Sequence, residues 1–257
     1  MSTIYMSDID IVYKNRILEM IAYFIDNRYI KNITYLLENN SSNINLLEYI
    51  NKHKKKKFNS NTSRYKLTKI ADSINSFYNG NDMKLLDVGV GNGIKINFLK
   101  DFLECNIYGA DLAEWGNYSK RKFNFPFKII NKNPYQIPYD SNMFDCITLM
   151  LTLHHADNII ETIKECKRLL KKDGIIVIVE HDIWTDYDNF IIDFQHDIYQ
   201  HIYKEKKTEN GNYYNYFEWD ILFKLCGMKP IYSGRLEEDM QHFTKYDNQF
   251  ITIYRKI

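Results

Sequence analysis

The segment Leu85-Leu86-Asp87-Val88-Gly89-Val90-Gly91-Asn92-Gly93 carries the most chemical information in the chain. An apolar run enters a Gly-x-Gly-x-Gly loop, and a helix-compatible stretch leaves it. Glycines at this spacing let the backbone turn sharply and approach a ligand, while the start of the following helix offers free N–H groups. Eighteen residues after Gly93, Asp111 closes the run Tyr108-Gly109-Ala110-Asp111. An acid at the tip of a second strand is a device for gripping both ribose hydroxyls of a bound nucleoside. The loop differs from the dinucleotide pattern Gly-x-Gly-x-x-Gly, and the chain has no Gly-x-x-x-x-Gly-Lys-Ser/Thr phosphate loop.

These residues need strands to hold them, and the pattern supplies them. After Asp82, apolar or β-branched runs predict strands at Lys84–Val88, Asn106–Ala110, Phe127–Ile130, Asp145–Leu149 and Ile175–Glu180. Helical periodicity fills the intervals near Ile94–Leu103, Glu114–Lys122 and Asn158–Leu170. That alternation predicts βαβ units and a parallel sheet with helices on both faces. Tyr213–Cys226 reads as a further helix stopped by Gly227, followed by strands at Lys229–Tyr232 and Phe250–Tyr254. Upstream, residues 8–38, Ile44–Ile50 and about Arg64–Tyr78 read as helices, separated by Glu38–Asn43 and Phe58–Ser63. The division expected is a helical elaboration over 1–80 and a catalytic domain over 81–257.

Three further stretches sit in register with this framework: Ile137-Pro-Tyr-Asp-Ser-Asn-Met-Phe-Asp145, Leu153-His154-His155, and Leu169-Leu-Lys-Lys-Asp-Gly-Ile175. With them, the chain resembles the class I S-adenosylmethionine-dependent methyltransferases, most closely the type 11 group, over roughly residues 83–182. The fold this resemblance implies is α/β: a Rossmann-like, seven-stranded methyltransferase sheet whose last strand, Phe250–Tyr254, is antiparallel. The cofactor it implies is S-adenosyl-L-methionine. By the same resemblance, Asp87, Gly89, Gly91 and Gly93 hold the methionine part, Asp111 the ribose, and Leu112 packs on the adenine. Leu149, on the fourth strand, joins the cofactor-binding set. Asn133 stands where the family usually has an Asp facing the adenine amino group, and an amide can still hydrogen-bond there.

Methyl transfer from a sulfonium is an in-line displacement, so the protein mainly aligns donor and acceptor. Candidates for acceptor chemistry lie where the fourth and fifth strands end, in Thr152-Leu-His154-His155 and Val179-Glu180-His181-Asp182. His181, His154 and Glu180 form the catalytic set, with a histidine as the base where the acceptor must lose a proton. His154 and His155 also fit a plain role capping the strand, and His181 is the better candidate for substrate contact. No metal is expected, because the i, i+5 spacing of His196 and His201 puts them on different helix faces.

Several acceptor classes lack their signatures. Asn133-Pro134-Tyr135 precedes the fourth strand and lacks the second proline used in amino-group methylation of adenine and cytosine. No cysteine follows a proline, and neither strand tip carries the lysines of ordinary ribose 2′-O enzymes. The run Lys54–Lys57 fits a phosphate track or a solvated helix end. The "Glu-His-Asp" after the fifth strand and Tyr214-Asn-Tyr-Phe-Glu218-Trp219 look like domains encoded by large AT-rich DNA viruses. RNA near its 5′ cap is the acceptor expected on that analogy, possible partners being RNA and another capping or transcription subunit. A small-molecule or protein acceptor and a catalytically silent partner subunit are the alternatives.

Composition bounds the rest. The 257 residues suit a sizeable core, with 45% hydrophobic and 26% charged residues. Net charge is +1, unevenly spread: residues 1–80 hold twelve Lys/Arg against seven Asp/Glu. Cys105, Cys146, Cys166 and Cys226 are scattered, with no zinc spacing, and fit reduced thiols in a cytoplasmic protein. No apolar run is long enough to span a bilayer and the start lacks a secretory signal, so neither membrane nor secretion is expected. The abundance of Tyr, Asn, Ile and Lys points to an AT-rich genome.

Overall fold

The computed structural model describes residues 11–38, 43–55, 61–78, 82–112, 123–203, 211–236 and 248–257. Two compact units divide them: 11–55 with 183–203, and 61–182 with 211–236 and 249–257. The predicted helix Glu114–Lys122 lies outside the described residues.

The larger unit is built on a seven-stranded sheet. Its strands are β1 (Lys84–Val88), β2 (Asn106–Asp111), β3 (Phe127–Ile129), β6 (Phe144–Met150), β7 (Leu170–His181), β8 (Met228–Arg235) and β9 (Gln249–Lys256), in the order β3-β2-β1-β6-β7-β9-β8. The first five in that order are parallel, and β9 runs antiparallel to both β7 and β8. This is the Rossmann-like methyltransferase sheet, with the last strand reversed as expected.

Period-two alternation along the strands explains the layers. Leu86, Val88, Ile147, Leu149, Ile176 and Ile178 face one core, with α6 (Ile159–Leu169) and α8 (Tyr216–Leu225) packed there through Ile163, Cys166, Trp219 and Phe223. Leu85, Cys146, Ile175, Val177 and Val179 face the other. It is covered by α4 (Asn61–Asn75) and α5 (Ile94–Leu103) through Ile70, Ile74, Ile96 and Leu99. The strands are buried on both faces, which is why they read as continuous apolar runs.

Two details differ from the sequence reading. A small hairpin, β4 (Asn131–Lys132) with β5 (Tyr135–Gln136), follows β3. The last helix starts at Tyr216 rather than Tyr213, because Asn215 and Glu218 form a capping box that fixes its first turn.

The smaller unit packs α1 (Ile11–Phe24), α2 (Ile30–Glu38), α3 (Asn43–Lys52) and α7 (Asp186–Tyr203) around Phe24, Ile33, Ile50, Ile191 and Ile198. The apolar periodicity over 8–38 is divided between two helices. Asp26 ends the first: its carboxylate accepts from the Arg28 N–H, and a 3-10 turn spans Asn27–Tyr29. Arg16 and Asp188 form a buried ion pair at 2.6 Å. His196 and His201 both lie on α7. Among the described residues, no helix is long and apolar enough to cross a membrane.

Candidate functional site

The glycine loop joins β1 to α5 at the C-terminal edge of the sheet, where open α/β sheets bind ligands. Gly89, Gly91 and Gly93 all take positive φ, at 81°, 54° and 77°. At Gly89 the constraint is contact as well as conformation: an added Cβ would lie 2.4 Å from the Thr152 side chain. At Gly91 the reverse holds, since a Cβ there would meet nothing within 4 Å. The loop's middle glycine therefore fronts open space, as the cradle of a ligand requires.

Two carboxylates flank the loop. Asp87 is buried in β1 and accepts from Thr148 Oγ1 on β6 at 2.7 Å. Burial pushes its pKa up to about 7, against opposing effects from the Thr148 hydrogen bond and the Lys95 charge. Asp111, at the tip of β2, accepts from the Gly91 N–H through Oδ2 (2.8 Å) and from the Leu112 N–H through Oδ1 (2.7 Å). Its pKa is also raised by burial, with both N–H bonds pulling the other way.

Beside Asp111, Leu112 and Asn133 line a common depression of about 390 Å³ with Ile129, Ile130, Asn131 and Pro134. The structure thus brings together two residues 21 positions apart that the sequence reading placed at one adenine. Asn133 sits exposed in the turn of the β4–β5 hairpin. Leu149 is fully buried in the core of the sheet.

At the ends of β6 and β7, Glu180 is almost completely buried. Its Oε1 accepts from the Thr152 and Leu153 N–H groups (3.0 and 2.7 Å), and its Oε2 lies 2.5 Å from His154 Nδ1. Burial raises the Glu180 pKa and holds that of His154 well below the ordinary histidine range. Glu180 and His154 therefore act on one another and on the β6 exit loop, which is a positioning arrangement. His155 is likewise lowered by burial, to about 3. His181 ends β7 with its ring 5.3 Å from that of His154. Asp182, fully buried, accepts from the Tyr216 N–H and from Arg235 Nη2.

Four residues take roles that the sequence did not assign to them. Thr148 holds Asp87, Thr152 packs under Gly89, and Lys95 donates to the Met150 carbonyl at 3.0 Å. Tyr213, read from the sequence only as the start of the last helix, lies 5.5 Å from the His154 ring and 6.5 Å from that of His181. Leu151 gives a further signal, legible only in the backbone. Its φ of 59° is a strained conformation for leucine, at the point where β6 turns toward His154.

The proposed phosphate track changes character. Lys54 Nζ donates to Asn51 Oδ1 and the Ile202 carbonyl, and Lys55 Nζ donates to the Ala22 carbonyl at 2.7 Å. Both ammonium groups hold helix ends of the smaller unit. Lys56 and Lys57 lie outside the described residues.

A glycine loop after β1, an acid at the tip of β2 and strand order 3-2-1-4-5-7-6 by position in the sheet make up the Rossmann-like methyltransferase fold. Residues 86–178 match the family described as "Methyltransferase domain". Over 143 residues, 51% of its length, the chain is 31% identical to an uncharacterized protein of Methanocaldococcus jannaschii. Over 114 residues, 42% of its length, it is 26% identical to a sterol 24-C-methyltransferase of Schizosaccharomyces pombe. The match spans 60% of the first relative and 30% of the second.

Solved structures share the fold. A chain from the complex of the Haloferax volcanii Trm112 methyltransferase activator with a methyltransferase superposes with TM-score 0.55 at 15% identity, covering 76% of this chain and 91% of that one. A SAM-dependent methyltransferase from Aquifex aeolicus gives 0.50 at 18% identity, covering 76% and 93%.

Proposed function

We propose that this protein transfers a methyl group from S-adenosylmethionine to an acceptor by in-line displacement. The observation that carries this reading is the Asp111 carboxylate, bonded to the Gly91 N–H beside the depression lined by Leu112 and Asn133. The residues fit the cofactor: Gly91 fronts open space, Asp111 stands at the tip of β2, and the amide of Asn133 lines the same depression as Leu112. In this assignment Asp111 binds the ribose hydroxyls, Leu112 covers the adenine, and Asn133 hydrogen-bonds its edge. Asp87 and the loop backbone at Gly89, Gly91 and Gly93 hold the amino-acid end. When bound, the cofactor supplies a methyl group already activated by its sulfonium charge. The chain's own task is alignment. Glu180 fixes the Thr152–His154 turn, His154 buttresses His181, and His181 faces the acceptor as the group that takes a proton where one must leave. Calorimetry with S-adenosylmethionine tests the binding step, and no measurable heat or competition would overturn the assignment.

For the acceptor we infer RNA, methylated near its 5′ cap, with a viral source suggested by the abundance of residues with AT-rich codons and a cytoplasmic setting by the four scattered cysteines. Support comes from Glu180-His181-Asp182 and Tyr214-Asn-Tyr-Phe-Glu218-Trp219, which look like stretches of domains encoded by large AT-rich DNA viruses. Transfer of labelled methyl to matched capped and uncapped transcripts tests it, with nuclease digestion locating the label. The sterol methyltransferase relative supports a small-molecule acceptor as the second reading. The structural neighbour crystallised with an activator protein supports a requirement for a partner subunit. Label on neither transcript, with cofactor binding intact, would move the assignment to one of these.

A further inference from the structure

The edge of the sheet opposite the glycine loop carries a concentration of positive charge. There, Lys172 precedes the buried part of β7, Lys229 is the second residue of β8, and Arg255 and Lys256 close β9. These four, with Asn142, Asp173 and Ile257, line a depression of about 440 Å³. Asp173 is the one acidic side chain among the described residues that line it.

The arrangement is unfavourable without a counter-charge. Lys229 and Arg255 are direct cross-strand partners, so their side chains leave the same face of the sheet. Like charges directly opposite one another destabilise an antiparallel pair. Arg255 Nε is buried and has no hydrogen-bond partner among the described residues. Lys256 has a structural duty: its ammonium donates to Asn142 Oδ1 at 3.0 Å and to the Leu170 carbonyl at 2.6 Å. Partial burial, and after it the charge of Lys167, lowers its pKa. Neighbouring Lys171 and Lys167 are engaged, the first by Asp145 and the second by the Cys226 and Gly227 carbonyls. Lys172, Lys229 and Arg255 have no ion pair among the described residues that would explain their gathering.

We propose that this edge binds the phosphate backbone of the RNA acceptor at a distance from the methyl-transfer site, an inference that rests on the RNA reading above. Lys172, Lys229 and Arg255 supply the charge, and Lys256 with Asn142 shapes the floor. The buried run of β7 separates this edge from His181, roughly 20 Å at the rise of a β-strand. A small acceptor that fills the cofactor end cannot reach both places, whereas a polymer can. Flexible lysines on an open strand edge suit successive phosphates, which are neutralised by charge without fixed geometry.

The test uses the full chain and a fluorescent, unstructured transcript several tens of nucleotides long, titrated over a range of salt. The triple variant K172A/K229A/R255A is expected to bind about tenfold or more weakly, with the slope of log affinity against log salt reduced by about 2, three phosphate contacts on a single strand. Its affinity for S-adenosylmethionine should match the wild type, which checks that the fold is intact. Lys172→Glu, a single change at an exposed position of β7, should lower the affinity in the same direction, and Lys172→Arg should not. If the wild type binds the transcript and these variants bind it with equal affinity and slope, the proposal fails while the RNA reading stands. If the wild type binds no transcript at low salt, both fall.

Discussion

Asp111 Oδ2 accepts a hydrogen bond from the Gly91 N–H at 2.8 Å, tying the tip of β2 to the middle glycine of the loop after β1. One carboxylate thus shapes the loop and stands where the ribose is assigned. Asp111→Ala removes both actions. A hydrogen bond to a charged group contributes about 1.5–3 kcal/mol, so S-adenosylmethionine affinity should fall roughly ten- to hundredfold. Calorimetry reads this directly, and unchanged affinity would remove Asp111 from the site.

Gly89 and Gly91 separate two reasons for a glycine. Gly89→Ala combines φ of +81° with a Cβ 2.4 Å from Thr152, so the loop must move and soluble folded protein should drop. Gly91→Ala meets no atom, and its positive φ costs about 1–2 kcal/mol. The second variant should fold and yet bind S-adenosylmethionine at least tenfold more weakly, because the added methyl occupies the cradle. Thermal melts with and without cofactor distinguish the two, and normal binding by Gly91→Ala would place the ligand elsewhere.

Asp87 gives a pH dependence with a definite sign. Its folded pKa of about 7 exceeds the unfolded value of 3.8, so the folded state holds the proton more tightly. Stability of the cofactor-free protein from this group is then highest below pH 4, falls as pH rises from about 4 to 7, and stays low above. Asp87→Asn is neutral throughout and can still accept from Thr148. It should melt higher than wild type at pH 8, with the gap closing by pH 4. An equal gap at both pH values would show that ionisation of Asp87 is not the cause.

Glu180 is assigned to positioning, and its variants should say so. Glu180→Ala strands the Thr152 and Leu153 N–H groups in the interior, at about 1–3 kcal/mol for each unsatisfied donor. Glu180→Gln keeps one carbonyl oxygen for those donors, and its amide can face the neutral His154 ring. Urea denaturation should therefore rank wild type and Glu180→Gln close together, with Glu180→Ala several kcal/mol lower. Methyl transfer by Glu180→Gln, if it persists, marks the residue as a support; abolished turnover with normal stability and cofactor affinity would make it a catalytic group.

The strands were legible because each is buried on both faces, leaving apolar runs such as Gly174–Val179 that only a sheet interior explains. The glycine loop and Asp111 were legible because both lie at strand ends, where residue type is set by backbone geometry and by the ligand. Local spacing could not say where a side chain finds its partner. Leu149 and Asp87 lie on neighbouring strands, yet the strand pleat turns Leu149 into one core, while the Asp87 carboxylate accepts a hydrogen bond from Thr148 of the next strand. The basic run at Lys54–Lys57 reads as a charged surface until the helix ends of α1 and α7 supply the carbonyls that take Lys54 and Lys55. Conversely, Lys172, Lys229 and Arg255 carry no motif, being 83 residues apart from first to last, and only the antiparallel return of β9 gathers them. The sequence by itself determined the order of elements and the nucleotide-facing loop, which depend on local backbone preference. The tertiary structure decided which charges are neutralised and which are left facing solvent, because that depends on partners distant in the chain.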